Sequence, residues 1–166
     1  LREMIQNFTR DAAEVTVEAN PESTTGEWLK EMLDMGANRI SIGVQALDDS
    51  LLATLGRIHT ARQAMIAVGK AEKAGFKRIS ADLMFGIPGQ TVEMWRRTLD
   101  ELIELPVDHV SCYSLSLEED TPFLARFKSD RTKLPWEHET VEMYRLLVDV
   151  LEDKGFQRYE LSNFAL

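Results

Sequence analysis

Three short stretches constrain the fold most: VTVEAN (15–20), ISIGVQ (40–45) and ISADLMFG (79–86) each alternate with a period of two. Val15, Val17 and Ala19, then Ile40, Ile42 and Val44, then Ile79, Ala81 and Leu83 form apolar faces. The opposite faces carry Thr16, Glu18 and Asn20, then Ser41, Gly43 and Gln45, then Ser80, Asp82 and Met84. Successive side chains of a strand point to opposite sides. Paired strands with these sequences would therefore bring Glu18, Gln45 and Asp82 to one surface, near their C-terminal ends. Two carboxylates and an amide do not make a dry core. The pattern predicts a polar cavity at the end of parallel strands where α/β proteins bind and act.

The segments between are helical. Thr24 and Glu27 stand at capping-box spacing before a helix over 24–35, with Leu29, Met32 and Leu33 inward and Gly36 at its end. A short helix from Asp48 to Leu55 stops at Gly56, and Thr60 with Gln63 caps another that runs to Ala74 and closes at Gly75. Thr91 starts a helix that buries Trp95, Leu99, Leu102 and Ile103 before Pro106. A fourth strand is expected over 109–117. A long helix from Glu137 to Lys154 should turn Val141, Tyr144, Leu147, Val148 and Leu151 inward, and 157–165 reads as one further strand. The loop 118–136 is irregular, with a helical turn expected around FLARF (123–127). Strands alternating with helices imply parallel pairing and right-handed crossovers. A closed eight-stranded barrel packs its lumen with branched apolar side chains. The Ser, Gly, Thr, Glu, Gln and Asp side chains expected here suit a wider, incomplete barrel around a polar ligand.

The net charge of −9 repels phosphate backbones and argues against a nucleic-acid partner. No apolar run approaches the roughly 18–20 residues of a membrane span. The single cysteine, Cys112, excludes an internal disulfide and any CxxC-type site within these residues, and fits a reducing, cytoplasmic setting. It reads as a packing residue. The chain opens on LREMIQNF and stops at YELSNFAL in mid-pattern, which reads as the middle of a longer protein.

Glu18, at a strand exit before Asn20-Pro21, can hold a ligand hydroxyl or ammonium, or can serve as a cap or ion-pair partner. The Gln45 amide both donates and accepts, which suits a sugar hydroxyl, or else it bonds a neighbouring loop. Asp82 within a strand needs a partner, and Arg57 of GRIHT (56–60) could supply it. Arg57 otherwise suits a ligand carboxylate. His59, His109 and His138 lack metal-ligand spacing and read as structural. GIPGQT (86–91) is a tight loop between strand and helix and has neither P-loop nor dinucleotide spacing.

In this order, VEANPES, NRISIGVQALDD, LGRIHT, ISADLMFGIPGQT, DHVSCYSLSLEEDTPF and YELSNFA resemble the oxygen-independent coproporphyrinogen III oxidase family of radical SAM proteins, and the wording of GRIHT and YSLSLEEDTPF is closer to its haem-chaperone branch. The resemblance spans 15–165. It implies part of a (β/α)6 barrel that lacks the first two strands. Residues 1–156 would form the C-terminal two-thirds of that barrel, and 157–166 would begin the segment leading to a C-terminal domain. It implies S-adenosylmethionine and a [4Fe–4S] cluster at the strands' C-terminal end, with Glu18, Gln45, Arg57, Asp82 and, less directly, Ser116 matching cofactor contacts. The family's cluster cysteines have no counterpart in this chain, since clusters need thiolates and Cys112 stands alone. The chain by itself is therefore expected to form no 5′-deoxyadenosine when supplied with iron, sulfide and dithionite.

Three functions follow: haem binding and delivery, oxidative decarboxylation of coproporphyrinogen III, or the chemistry of an ordinary barrel aldolase or isomerase. The first two make haem or a porphyrinogen the partner. The third requires a catalytic lysine or metal ligands at strand ends. Without the first two barrel strands, the strand at 15–20 would be an unpaired edge, and this leaves room for a homodimer through that edge.

Overall fold

A computed structural model describes residues 14–116, 127 and 134–166. Four strands run parallel in the order of the chain: β1 (Thr16–Ala19), β2 (Arg39–Gln45), β3 (Arg78–Phe85) and β4 (His109–Ser114). A hairpin of β5 (Gln157–Arg158) and β6 (Asn163–Ala165) continues the sheet antiparallel to β4. The segment 157–165 thus forms two short strands rather than one, because Glu160 and its neighbours turn the chain and Tyr159 N–H donates back to the Asn163 carbonyl. The end of the expected strand over 109–117, much of the expected loop over 118–136 and most of the FLARF turn fall at 117–126 and 128–133, outside the described residues.

Parity decides which side of the sheet is dry. Ile40, Ile42, Val44, Ile79, Ala81, Leu83, Phe85, Val110 and Cys112 are all buried in one core with the helices. Each large aliphatic side chain taken out of water here contributes about 1.5–3 kcal/mol. The helices covering this face are α1 (Gly26–Asp34), α3 (Ala61–Ala74), α4 (Val92–Leu102) and α5 (Glu137–Asp153), and α2 (Asp49–Thr54) packs Leu51 and Leu52 beside Ile87 of the GIPGQT loop.

Most helix signals in the sequence act as expected. Thr60 and Gln63 form a reciprocal capping box at α3, with Gln63 N–H on Thr60 Oγ1 at 3.2 Å and Thr60 N–H on Gln63 Oε1 at 2.8 Å. Asp48 caps α2, and Thr91 caps α4. Two expectations need correction. The cap of α1 is Thr25, whose Oγ1 accepts from Trp28 N–H, because the preceding Thr24 donates its hydroxyl to the Asn20 carbonyl at 2.8 Å. In α5 the buried residues are Met143, Leu147, Val150 and Leu151, while Val141 is exposed. The inward stripe is rotated toward α4, whose Trp95 donates its Nε1–H to the Met143 carbonyl at 2.9 Å.

Candidate functional site

The other face of the sheet is wet. Two adjoining lobes of about 520 and 400 Å³ share Glu18, Ser41, Gln45 and Asp82 and form one open hollow. Each lobe falls within the roughly 300–1,000 Å³ usual for small-molecule sites. The hollow brings together Glu18, Gln45, Arg57 and Asp82, four of the five residues singled out from the sequence. Ser116 lies beyond the end of β4, is exposed, and lines neither lobe.

Gly43 is the floor of the upper lobe. A Cβ placed there would lie 2.9 Å from Gln45 Nε2 and 3.3 Å from both an Arg57 guanidinium nitrogen and Asn20 Oδ1. A donor, a cation and an acceptor, from the ends of two strands and from one loop, thus converge over bare backbone. Sequence reasoning placed Gly43 on the polar face but gave it no role; the signal was its position between Ser41 and Gln45, where a side chain would fill the hollow.

Gln45 is aimed by an unusual backbone. The register of β2 with β3 shifts between Ile42 and Gln45, and Gln45 has φ 66°, the single positive value at a non-glycine among the described residues. Ala46 N–H donates to the Val44 carbonyl at 2.8 Å, which closes a γ-turn with Gln45 at its apex. Such a conformation costs on the order of 1–3 kcal/mol and persists where its surroundings enforce it.

Asp82 meets no arginine fork. Ser41 Oγ donates to its carboxylate, 2.9 Å from each oxygen, and Ser111 donates as well. The expected Arg57 partner is turned toward Gly43 instead, and among the described residues Arg57 makes no ion pair. Burial pushes the Asp82 carboxyl above the ordinary 3.8; the Ser41 and Ser111 hydroxyls oppose this, the nearby Glu18 charge adds to it, and Arg39 pulls back. Just above pH 3.8 the folded chain therefore keeps a proton that the unfolded chain has released. The stability from this group is complete below that window and is lost as the pH rises through the folded value. Asp82→Asn cannot release a proton. Its melting temperature relative to the parent should therefore rise between about pH 3.5 and about pH 7. A difference that stays flat across that range in thermal melts would contradict the assignment.

Lower in the hollow, His109 Nδ1 lies 2.8 Å from Ser80 Oγ and Nε2 lies 2.7 Å from the Tyr159 hydroxyl. Burial, and then the Arg39 charge, lower its pKa, against Asp108 and Glu14. A neutral ring, donor at one nitrogen and acceptor at the other, satisfies two hydroxyls that can each play either part. Cys112 is on the dry face, and burial, with the Asp82 charge behind it, holds its thiol well above the ordinary value. Among the described residues no cluster of three or more His, Cys, Asp or Glu is placed to bind a metal ion, and no lysine lines the hollow. No described helix is long and apolar enough to cross a membrane.

A mostly parallel α/β sheet with its polar cavity at the strand ends agrees with the family model of the radical SAM superfamily, which matches residues 2–102, and the chain belongs to that superfamily. Within it, the chain is 42% identical over 153 residues to the heme chaperone HemW of Lactococcus lactis, covering 92% of this chain and 40% of the relative. It is also 42% identical over 155 residues to the mitochondrial radical S-adenosyl methionine domain-containing protein 1 of Danio rerio, covering 93% of this chain and 35% of that one. The fold matches the coproporphyrinogen III oxidase HemN of Escherichia coli with a TM-score of 0.85 at 24% identity, over 98% of this chain and 38% of the other. The chain thus spans about two-fifths of the length of these curated relatives, 40% and 41% for two of the HemW proteins.

Proposed function

We propose that this chain is the S-adenosylmethionine-holding part of a radical SAM barrel in a haem-handling protein of the cytoplasm. The observation that carries the first half is the convergence of Gln45, Arg57 and Asn20 over Gly43, with Glu18 and Asp82 alongside. The ligand offers a carboxylate, an ammonium and a ribose diol. Arg57 provides a fork for the carboxylate. Glu18 and Asp82 accept from hydroxyl or ammonium groups, Gln45 serves a hydroxyl in either direction, and Ser116, which lines neither lobe, stays in the proposal only as a family-matched contact. The Glu18 and Asp82 carboxylates together with the Arg39 and Arg57 guanidinium groups suit a ligand that carries both signs of charge. Beside a reduced cluster, the bound cofactor supplies radical chemistry; these residues bind it, orient it and limit water around it.

The residues present do not fit a [4Fe–4S] cluster. One buried cysteine on the opposite face of β4 cannot supply the thiolate set. No cluster step is therefore assigned to this chain. In the same reading, 1–156 are barrel, 157–166 lead toward a further domain, and the β1 edge serves a homodimer, which light scattering of the purified chain should report as twice the monomer mass and a monomeric mass would remove.

The haem half rests on the names of relatives 42% and 39% identical. The oxidase reading is favoured by the fold match to HemN. Calorimetric titration of S-adenosylmethionine should show one site, weakened about 10- to 100-fold by Arg57→Ala, as loss of a charged hydrogen bond implies. Equal affinity of parent and variant would remove Arg57 from the site. Haem titrated into the intact protein should bind stoichiometrically, with no protoporphyrinogen formed from coproporphyrinogen III. Product formation without haem uptake would decide for the oxidase.

A further inference from the structure

We infer that His59 is a positioning residue that clamps the Gln45 turn and thereby sets the nucleotide-facing side chains. The inference rests on the S-adenosylmethionine reading for its consequence and on geometry for its mechanism.

His59 is 3% exposed, in a loop whose neighbour Ile58 is 81% exposed. Its Nε2 lies 3.2 Å from the Val44 carbonyl, and since a carbonyl accepts, Nε2–H donates. This is the same carbonyl that receives the Ala46 N–H and closes the γ-turn around Gln45. Its Nδ1 lies 3.2 Å from the Glu22 carboxylate. Glu22 belongs to the short 3₁₀ turn Pro21–Ser23, directly after Asn20. The turn itself is fastened by Ser23 and Thr24 hydroxyls on the Asn20 carbonyl, at 2.9 and 2.8 Å.

One buried ring therefore joins three segments, and each of them carries a side chain to Gly43: Asn20 from the end of β1, Gln45 from the end of β2, and Arg57 from the ring's own loop. The loop's other bonds run away from the hollow to the flanking helices: Gly56 N–H on the Ala53 carbonyl at 3.1 Å, Arg57 N–H on the Leu52 carbonyl at 2.9 Å, Thr60 N–H on Gln63 Oε1 at 2.8 Å and Ala61 N–H on Asp49 Oδ1 at 2.8 Å. A ring of the same size without nitrogens would fill the space and leave the Val44 carbonyl with the γ-turn bond alone. The left-handed Gln45 would then lose a restraint that holds it off the preferred extended backbone.

The test uses His59→Phe and His59→Gln in the intact protein, with S-adenosylmethionine affinity and amide hydrogen exchange read together. Phenylalanine preserves bulk, whereas glutamine can present an N–H where Nε2–H stood. His59→Phe should weaken the affinity about 10-fold, the size of one lost hydrogen bond, and speed exchange of the Ala46 amide while Leu99 in α4 exchanges as before. His59→Gln should restore most of both. Parent-like affinity and Ala46 exchange in His59→Phe would overturn the inference. So would faster exchange spread equally to Leu99, which would make the ring merely structural. If the parent itself fails to bind S-adenosylmethionine while Ala46 alone exchanges faster in His59→Phe, the clamp stands and the cofactor reading falls.

Discussion

Gly43→Val should abolish the proposed S-adenosylmethionine binding while leaving the chain folded. The expected loss is at least about 100-fold, or roughly 2.8 kcal/mol. A Cβ at residue 43 meets Gln45 Nε2 at 2.9 Å and Arg57 and Asn20 at 3.3 Å, all far ends of flexible side chains on the open face of the sheet. These ends can swing away, so the fold accommodates the methyls at little cost, and a β-branched residue suits a strand. The site cannot accommodate them, because a donor, a guanidinium and an acceptor leave their places together. The charged hydrogen bond alone is worth about 1.5–3 kcal/mol. Circular dichroism and a melting temperature near that of the parent, together with a flat calorimetric titration, are the expected pair. Undiminished affinity would show that the ligand does not approach Gly43. Gly43→Ala should fall between, since one methyl displaces the same groups by less.

Much of this site was legible in the sequence because period two is rigid. Once 15–20, 40–45 and 79–86 pair in register as parallel strands, Glu18, Ser41 and Asp82 have no choice of face, and the observed register confirms their side. Helix ends were legible where one residue supplied the chemistry, as with Thr60 and Gln63. What escaped depended on contacts distant in the chain. The Thr24-to-Thr25 shift follows from a bond to the Asn20 carbonyl. The rotation of α5 follows from Trp95, 48 residues before Met143. The Gln45 turn was hidden for another reason: no propensity assigns a positive φ to glutamine, and only His59, from 15 residues beyond Val44, reveals what surrounds it. Arg57 was selected from its loop, yet its orientation toward Gly43 rather than Asp82 was decided by serines on neighbouring strands that already satisfy the carboxylate.

Trp95→Ala should destabilise the fold more than any substitution in the hollow. The ring is fully buried, 5.7 Å from the Phe85 ring at 33°, and Phe85 in turn lies 6.2 Å from Tyr144. Trp95 thus ties α4 to the last residue of β3 and, through the Met143 carbonyl, to α5. Removing an aromatic ring from such a place costs about 3–5 kcal/mol, a large part of the roughly 5–15 kcal/mol that holds a domain together. For a chain of this length the melting temperature should fall by roughly 6–20 °C. Trp95→Phe keeps most of the ring contact and loses the N–H, which calls for only about 1 kcal/mol. A drop in Trp95→Ala no larger than in Trp95→Phe would mean that the α4–α5 contact does not hold the sheet. The two variants also separate scaffold from site. Trp95, from α4, packs against the dry face of β3 at Phe85, whereas Asp82 is on the wet face, so Trp95→Phe should bind S-adenosylmethionine like the parent. Trp95→Ala should lose binding only in step with its unfolded fraction, because β3 carries Asp82 into the hollow for as long as the helices hold it there.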